Sequence, residues 1–391
     1  MTSIDSPAAD ARPDHRLAIV FTGSGSEYFR IWIVNLLLTL VTFGLYYPWA
    51  KVRRLRYFYG NTLVGDHPLD FHGSPRRLLR GFLLVGAMVA LYSFSGKVSP
   101  TAGLIAFLIV ASVWPALFRA SQQFRLANTS WRGLRFRFTG NMAGAYLAVL
   151  PIFAPGLLVL ISVVLAGQGL QPAAATGLAA LFTVAPVLLF PLAWWLLKKY
   201  QHGHSALGQV QTELRTGPGS FYIVFLKTFG VAVLALIAGL AIGMLIGGGS
   251  ALALLSGGEG RARGITPGVI ATLVILLVCV YGGMALLIRP YAVSRLQNLL
   301  WGRTACNELQ FASDLRFWPL VGLTLKNWLL ILVTLGLYWP FAAIAMARMR
   351  LEAVSVQTLL APDDLVSQVR PRADDATGDA AGDLFGIDIG L

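Results

Sequence analysis

Charged residues are scarce in this chain. Asp, Glu, Lys and Arg together make up only 13% of its 391 residues, against 56% hydrophobic residues. A typical soluble domain carries about 25% charged residues, so the composition excludes an ordinary water-soluble protein. Carboxylates are especially few, and none stands in the middle of a long apolar run. Because proton-coupled transporters usually bury Asp, Glu or His at membrane depth, this lack weighs against a proton-driven mechanism.

Several features of enzymes and secreted proteins are also missing. The two cysteines, Cys279 and Cys306, do not suggest a disulfide framework. Residues 1–16 lack the basic-then-apolar order of a secretory signal. The sequence has no nucleotide-binding loop, nucleophile–base constellation or zinc-protease motif. We therefore expect a non-enzymatic protein without a cofactor. The spacing of His202 and His204 is a weak signal for a metal site, and the internal repeat described below aligns His204 with Asn61 and Asn128, which favours a turn or capping role.

Six apolar runs dominate the sequence. They are free of charged residues except at their ends and cover residues 81–95, 102–118, 142–166, 173–197, 228–255 and 265–288. A helix needs roughly 20 apolar residues to cross a bilayer core. The first two runs are shorter, and we interpret them as a hairpin whose flanking arginines reach the interface. The pattern predicts a polytopic α-helical membrane protein with six transmembrane helices.

The chain also repeats itself. Residues 48–73 align with residues 115–140 at one constant offset, and weaker copies begin at Pro191 and Pro290. In each copy an apolar run reaches a proline, which ends or kinks a helix, and a basic, aromatic helix and a polar turn follow. The turn positions are Asn61 and Thr62, Asn128 and Thr129, His204 and Ser205, and Arg303 and Thr304.

A short alternating segment closes each copy. Apolar residues recur at every second position, which is typical of half-buried strands. We therefore expect a small β-sheet on the cytoplasmic face, built from strands of all the copies. The alternating residues are Leu17, Ile19, Phe21, Leu69, Phe71, Leu134, Phe136, Phe138, Val210, Leu214, Leu309, Phe311, Val354 and Val356.

The two ends of this region match each other. Residues 35–58 align without gaps to residues 327–350, with 12 of 24 positions identical. Both carry the motif Thr-x-Gly-Leu-Tyr-x-Pro, whose kink residues are Gly44, Tyr46, Pro48, Gly336, Tyr338 and Pro340. Each end segment is long enough to cross the membrane once, or it forms a re-entrant hairpin broken at this motif.

The placement of basic residues separates these alternatives. With re-entrant ends, 28 Lys and Arg residues lie on one side and 3 on the other, which strongly satisfies the positive-inside rule. We therefore favour re-entrance. The protein then lies in a bacterial inner membrane, and its basic loops and both termini face the cytoplasm. Residues 1–15 and the acidic segment 361–391 are predicted to be disordered, and residues 16–360 form the repeat-built membrane domain.

The matched ends supply the candidate intramembrane polar site. Its residues are Asn35, Thr39, Thr42, Asn327 and Thr334. Broken helices form ion and substrate sites in transporters built from repeats. The alternative is structural, because a buried Asn also hydrogen-bonds one helix to another.

One stretch resembles a known family. The run from Thr42 reads Thr-Phe-Gly-Leu-Tyr-Tyr-Pro-Trp-Ala-Lys-Val-Arg-Arg, continues as Arg-Tyr-Phe-Tyr-Gly-Asn-Thr-Leu-Val-Gly-Asp, and ends in Phe71-His-Gly. It is similar to the YjgN family of bacterial inner-membrane proteins, over roughly residues 15–360. The resemblance implies a multipass inner-membrane protein and no particular reaction, ligand or catalytic residue. The Asn-Thr pattern is absent at His204 and Arg303.

Two functions fit these features. The first is a carrier or channel for a small solute or lipid. The second is a non-transporting membrane component that binds lipid or partner proteins at its cytoplasmic face. Basic residues beside membrane segments meet anionic lipid headgroups, so we expect membrane lipids and not nucleic acid as partners. Neither the small-molecule ligand nor the oligomeric state can be read from the sequence.

Overall fold

The chain repeats one structural unit five times: a strand, a hairpin of two helices, and a second strand. The computed structural model describes residues 15–358, except 168, 170–171, 209, 256–266 and 307–308. The predicted disordered segments, residues 1–15 and 361–391, therefore lie outside the described residues apart from His15.

The helices are α1 Gly25–Val41, α2 Tyr47–Gly60, α3 Pro75–Val98, α4 Pro100–Ala127, α5 Met142–Gly167, α6 Pro172–Gly203, α7 Pro218–Leu255, α8 Pro267–Trp301, α9 Phe317–Val333 and α10 Trp339–Glu352. The strands are β1 His15–Phe21, β2 Thr62–Val64, β3 His67–Phe71, β4 Thr129–Trp131, β5 Leu134–Phe138, β6 Ser205–Leu207, β7 Val210–Gln211, β8 Glu213–Leu214, β9 Thr304–Ala305, β10 Leu309–Ser313 and β11 Val354–Thr358.

The six predicted transmembrane helices are present. Helices α3 to α8 each contain a segment long and apolar enough to cross a membrane. The repeated proline acts in two ways. Pro48 and Pro340 stand in the first turn of α2 and α10, where a missing N–H costs nothing. Pro115 and Pro290, in contrast, lie inside continuous helices, so there the apolar run and the basic segment form one helix.

The strands form a single antiparallel sheet that nearly closes. Its order is β7-β6-β5-β4-β3-β2-β1-β11-β10-β9-β8. Strands β7 and β8 stand at the two ends of this order, yet only Thr212 separates them in the chain. The first and last strands, β1 and β11, pair directly. The sheet is therefore a near-barrel, which leaves little unpaired edge.

This near-barrel is larger than the small sheet that the alternation predicts. The sequence gives no periodic signal for β2, β4, β6 and β9, because they have only two or three residues each. Gly65 and Asp66 join β2 to β3, and Arg132 and Gly133 join β4 to β5, all with positive φ. Two successive residues with positive φ are the geometry of a two-residue hairpin turn. Each repeat thus contributes two strands where the pattern predicts one.

The inside of the near-barrel is filled by apolar side chains. One cluster gathers residues from strands all around the sheet, so these residues point inward. We call it the apolar plug, and its buried members are Leu17, Trp131, Leu134, Cys306, Leu309 and Val356. On the same inner face, nearer the helices, four residues each pack against helices of the ring: Phe21, Phe71, Phe138 and Leu214.

The ten helices form a ring that stands on this sheet. Among the described residues, the main helix contacts join chain neighbours from α1 round to α10, and α10 packs against α1. Within every unit, one backbone hydrogen bond joins the two ends of the helical hairpin where they meet the sheet, and we call this hydrogen bond the clasp. The residue after the first strand donates its N–H to the carbonyl that ends the second helix, at 2.7 to 2.9 Å. The pairs are Thr22 to Asn61, His72 to Asn128, Thr139 to His204, Arg215 to Arg303 and Asp314 to Ala353.

A second set of hydrogen bonds ties each unit to the next. A side chain on every second helix donates to a carbonyl in the strand-to-helix turn of the following unit. The pairs are Arg56 to Gly73, Arg119 to Gly140, Trp195 to Thr216, Asn298 to Leu315, and Arg348 back to Gly23. Because the last of these returns to the first unit, the ring is closed by the same kind of bond that builds it.

Helices α7 and α8 pack closely because glycine lines their contact. A Cβ added at Gly239 would lie 2.8 Å from the Cα of Val280, whereas a Cβ at Gly230 would meet nothing within 4 Å. Alanine favours a helix over glycine by about 1 kcal/mol, whereas overpacking costs about 1–3 kcal/mol. We expect Gly239→Ala to lower the melting temperature of the protein in detergent and Gly230→Ala to leave it unchanged or raise it. Equal shifts for the two variants would contradict this packing.

Candidate functional site

The repeat turns cap the second helices. The side-chain amides of Asn61 and Asn128 donate to the carbonyls four residues earlier, at 2.8 and 2.7 Å. His204 places its Nδ1 3.0 Å from the equivalent carbonyl of Tyr200, so it occupies the same capping position. The hydroxyls of Thr62, Thr129, Ser205 and Thr304 each donate to a carbonyl one turn back. Arg303 contributes its backbone carbonyl to the clasp. These residues hold the helix–strand junctions together.

The two kink motifs form matching turns. Gly44 and Gly336 adopt φ of 89° and 94°, a conformation that a residue with a Cβ rarely takes. The hydroxyls of Thr42 and Thr334 donate to the carbonyls four residues back and accept the N–H groups of Tyr46 and Tyr338, at 3.0 Å. Each threonine thus links the end of one helix to the start of the next. Thr39 donates its hydroxyl to the carbonyl of Asn35 at 2.6 Å.

The matched asparagines are both buried, and each belongs to its own hairpin. Asn35 is 8% exposed and accepts a hydrogen bond from Arg53 at 3.4 Å. Asn327 is 4% exposed, and its Oδ1 has no hydrogen-bond partner within the part of the chain that the structure describes. The difference follows from the alignment, because Ala345 stands where the first copy has Arg53. The hydrogen bonds of the described residues do not join the two asparagines or their threonines into one site.

A different set of polar residues does converge. Helix α4 packs against α2 and α6 in the half of the ring nearer the sheet: Phe124 shares a core cluster with Val52 of α2, and the Phe118 ring lies 6.3 Å from that of Tyr200 on α6. This packing places Lys51 on α2, Arg125 on α4 and Lys198 on α6 in one region, and we call these three residues the cation cluster. The Arg125 guanidinium acts electrostatically on both ammonium groups and on His202. Desolvation by the surrounding protein and, second, the charge of Arg125 lower the pKa of Lys51, which lies outside the six transmembrane helices.

The partners of the cation cluster are neutral. Arg125 donates to the amide oxygen of Gln122 at 2.9 Å, and Lys198 donates to that of Gln201 at 2.8 Å. The ion pairs found among the described residues are exposed and involve none of the three cations, because they join Arg215 to Glu213 and Arg316 to Asp314. The cluster therefore carries positive charge that these pairs do not balance.

An apolar cavity adjoins the cluster. It has a volume of about 300 Å³ and lies between α2, α3 and α4. Most of its wall is hydrophobic, with polar groups supplied by Lys51 and Ser121. Ser121 lies one turn before Arg125 on α4, so both face the same side of that helix. Apolar residues that line the cavity include Leu78, Phe82, Val85, Trp114 and Phe118. Among the described residues, no group of three or more His, Cys, Asp or Glu side chains could hold a metal ion.

Comparison with known proteins identifies the family. The sequence model of the family described as bacterial protein of unknown function (DUF898) matches residues 16–384. The protein named Inner membrane protein YjgN from Salmonella typhimurium LT2 is 32% identical over 145 residues, which cover 36% of this chain and 37% of that protein. The protein of the same name from Escherichia coli O157:H7 is 31% identical over 140 residues, covering 34% and 33%. The chain belongs to the YjgN family.

This YjgN-family protein is a multipass inner-membrane protein, because its relatives carry that name and six of its helices suit a membrane. The resemblance carried by the motif from Thr42 is thus confirmed. The matched segments span about a third of the length of the curated relatives, and the function of the family is not established. No solved structure matches the chain.

The cation cluster has no counterpart among the polar residues that the sequence singles out. Lys51, Arg125 and Lys198 occupy different positions within their repeats, so the internal alignment does not select them. They come near one another only in the folded chain, where side chains of α4 pack against α2 and α6. The one available signal is that they belong to the basic segments after Pro48, Pro115 and Pro191.

The two asparagines should respond differently to substitution. Replacing a buried polar group that lacks a partner by an apolar group of similar size is close to neutral or stabilising. Replacing Asn35 removes the acceptor for Arg53, which costs roughly 1 kcal/mol. We therefore expect Asn35→Leu to lower the melting temperature in detergent and Asn327→Leu to leave it unchanged or raise it. A large loss of stability in Asn327→Leu would show that its carbonyl oxygen has a partner in the folded protein.

Proposed function

We propose that this protein is a non-enzymatic carrier for a lipid or a lipid-like amphiphile, with its sheet on the cytoplasmic side of the inner membrane. The distribution of basic residues supports this orientation. Most Lys and Arg residues of the described chain lie in the strands, in the turns beside them and in the parts of the helices nearer the sheet, whereas Lys97 stands at the opposite end of α3. Positively charged loops are retained on the cytoplasmic side.

The short terminal hairpins support entry from the bilayer. Helices α1 and α9 have 17 residues, and α2 and α10 have 14, against 24 or more in α3 to α8. At 1.5 Å per residue, α1 is about 26 Å long and α3 about 36 Å. Because both kinds of hairpin start at the same sheet, the ring wall is lower by about 10 Å at α1, α2, α9 and α10. This step is the observation that carries the proposal, because a lipid could pass over it into the ring.

The tips of these hairpins are suited to hydrocarbon. Val41, Phe43, Val333 and Leu335 are between 75% and 98% exposed, and exposed apolar side chains of this kind are stable in lipid and costly in water. This supports a re-entrant placement of both end segments, with the tips inside the bilayer. Each hairpin also returns to the sheet that it leaves, through β1 and β2 or through β10 and β11.

The apolar plug argues against a permanently open channel. It fills the near-barrel with packed side chains, so water and ions have no wide path along the axis of the sheet. A carrier needs no such path when its cargo arrives and leaves through the lipid. The same plug favours a second candidate, a non-transporting component that binds lipid or partner proteins at its cytoplasmic face.

The membrane placement can be tested with single cysteines. We expect Val41→Cys and Val333→Cys to resist a membrane-impermeant maleimide from either side, because both tips lie in hydrocarbon. Glu213→Cys should react only in inside-out vesicles, and Lys97→Cys only in right-side-out vesicles. The wild type is the control, since Cys306 is buried and Cys279 is half-buried in α8. Labelling of Val41→Cys from the periplasmic side would replace re-entrance with a full span.

Carrier activity can be tested in vesicles. The purified protein is reconstituted with a trace of fluorescent phospholipid, and a membrane-impermeant reductant measures how much of it reaches the outer leaflet. We expect the accessible fraction to rise from about half, the value for a static bilayer, toward completeness. Ser121→Trp, which fills the cavity, should slow this rise, whereas Leu108→Trp on an exposed position of the same helix should not. An accessible fraction fixed at half for the wild type would favour the non-transporting candidate.

A further inference from the structure

The cation cluster brings three positive charges together without a visible structural need. Lys51, Arg125 and Lys198 come from three different units. Like charges repel, and the partial desolvation of Lys51 by the surrounding protein strengthens that repulsion. Helix packing alone would be better served by apolar side chains at these positions. A group of uncompensated cations of this kind is stabilised when an anion occupies the space between them.

The cluster is accessible and preorganised. Lys51 and Arg125 are exposed, whereas Gln122, which accepts a hydrogen bond from Arg125, is buried at 7% exposure. The amide oxygens of Gln122 and Gln201 orient Arg125 and Lys198 through hydrogen bonds of 2.9 and 2.8 Å. Both cations keep further N–H donors for a ligand, because a guanidinium has five and an ammonium three.

The adjoining cavity indicates what kind of anion fits. Lys51 belongs both to the cluster and to the wall of the cavity between α2, α3 and α4. A ligand with a negative headgroup at the cluster can therefore extend an apolar chain along Phe82, Val85 and Trp114. A small inorganic anion would use the cations and leave the apolar wall empty. Basic pockets between transmembrane helices on the cytoplasmic side are known to hold anionic headgroups.

We propose that Lys51, Arg125 and Lys198 bind the phosphate of an anionic phospholipid of the cytoplasmic leaflet, whose acyl chain lies in the cavity between α2, α3 and α4. This assignment takes one element from the proposed function, the cytoplasmic position of the sheet, and does not depend on carrier activity. It deepens that function by naming the headgroup chemistry of the bound lipid and the residues that recognise it. Zwitterionic phospholipids carry a compensating cation in the headgroup and bind less tightly.

The test measures lipid affinity of the full chain in detergent. Phosphatidylglycerol, phosphatidylcholine and inorganic phosphate are titrated separately, and binding is read from the melting temperature and from lipid-bound species in native mass spectrometry. We expect phosphatidylglycerol to stabilise the wild type at lower concentration than phosphatidylcholine. Lys51→Gln, Arg125→Gln and Lys198→Gln should each weaken phosphatidylglycerol binding by about tenfold, since each removes one charge-assisted hydrogen bond.

Lys199→Gln is the matched control. It removes the same charge from the next position of α6. Each lysine lies over a tryptophan ring, Lys198 over Trp194 and Lys199 over Trp195, so the two variants lose the same kind of contact. Lys199 differs in lying outside the cluster. We expect its affinity for phosphatidylglycerol to equal that of the wild type. Equal weakening in Lys199→Gln and Lys198→Gln, or equal binding of phosphatidylglycerol and phosphatidylcholine, would overturn the proposal. Stabilisation by inorganic phosphate at the same concentration as the lipid would assign the cluster to a free anion.

The outcomes also separate this site from carrier activity. Selective phosphatidylglycerol binding that is lost in the three variants, together with no lipid movement in vesicles, would retain the site and reject the carrier. Lipid movement that is identical in the wild type and in a Lys51→Gln, Arg125→Gln, Lys198→Gln triple variant, together with unchanged lipid affinity, would retain the carrier and reject the site.

Discussion

The structure depends on how the ends of its strands and helices satisfy their backbone hydrogen bonds. A helix leaves carbonyl groups without partners at its end, and a strand that turns into a helix leaves an N–H group unpaired. In all five units these groups bond to each other, from Thr22 to Asn61 in the first and from Asp314 to Ala353 in the last. The clasp fixes the base of every hairpin, so the hairpins stand side by side on a common sheet. The ring and the near-barrel are two consequences of this one junction.

Sequence patterns predict many of the helices and strands of this fold, but they do not predict that the sheet nearly closes into a barrel. Apolar runs locate the six membrane helices, and two-residue alternation marks strands such as β1 and β5. The four strands β2, β4, β6 and β9 are too short to show a period. Their existence depends on pairing with longer neighbours, which is a tertiary effect. The return of Arg348 to Gly23 joins residues 325 positions apart, and no local pattern specifies it.

The candidate site shows the same limit. The alignment of the two ends selects Asn35 and Asn327, and the structure buries both, but it places them in separate hairpins with different surroundings. The substitution of Arg53 by Ala345 removes from one copy the partner that the other retains. The sequence places the members of the cation cluster in basic segments but does not select them, because they come from three units and do not align. Symmetry of the scaffold thus does not extend to its polar residues, which have diverged among the copies.

The pairing of β1 with β11 has a consequence for how the protein is made. These strands stand at opposite ends of the described chain, and β11 also pairs with β10. During synthesis the first hairpins can enter the membrane, and the sheet can grow strand by strand. The edge of β1 that pairs with β11 in the finished protein stays unpaired during this time. The wall closes only when residues 354–358 leave the ribosome. Until then the nascent protein is an open arc whose unpaired strand edge is free to pair with a strand of another chain.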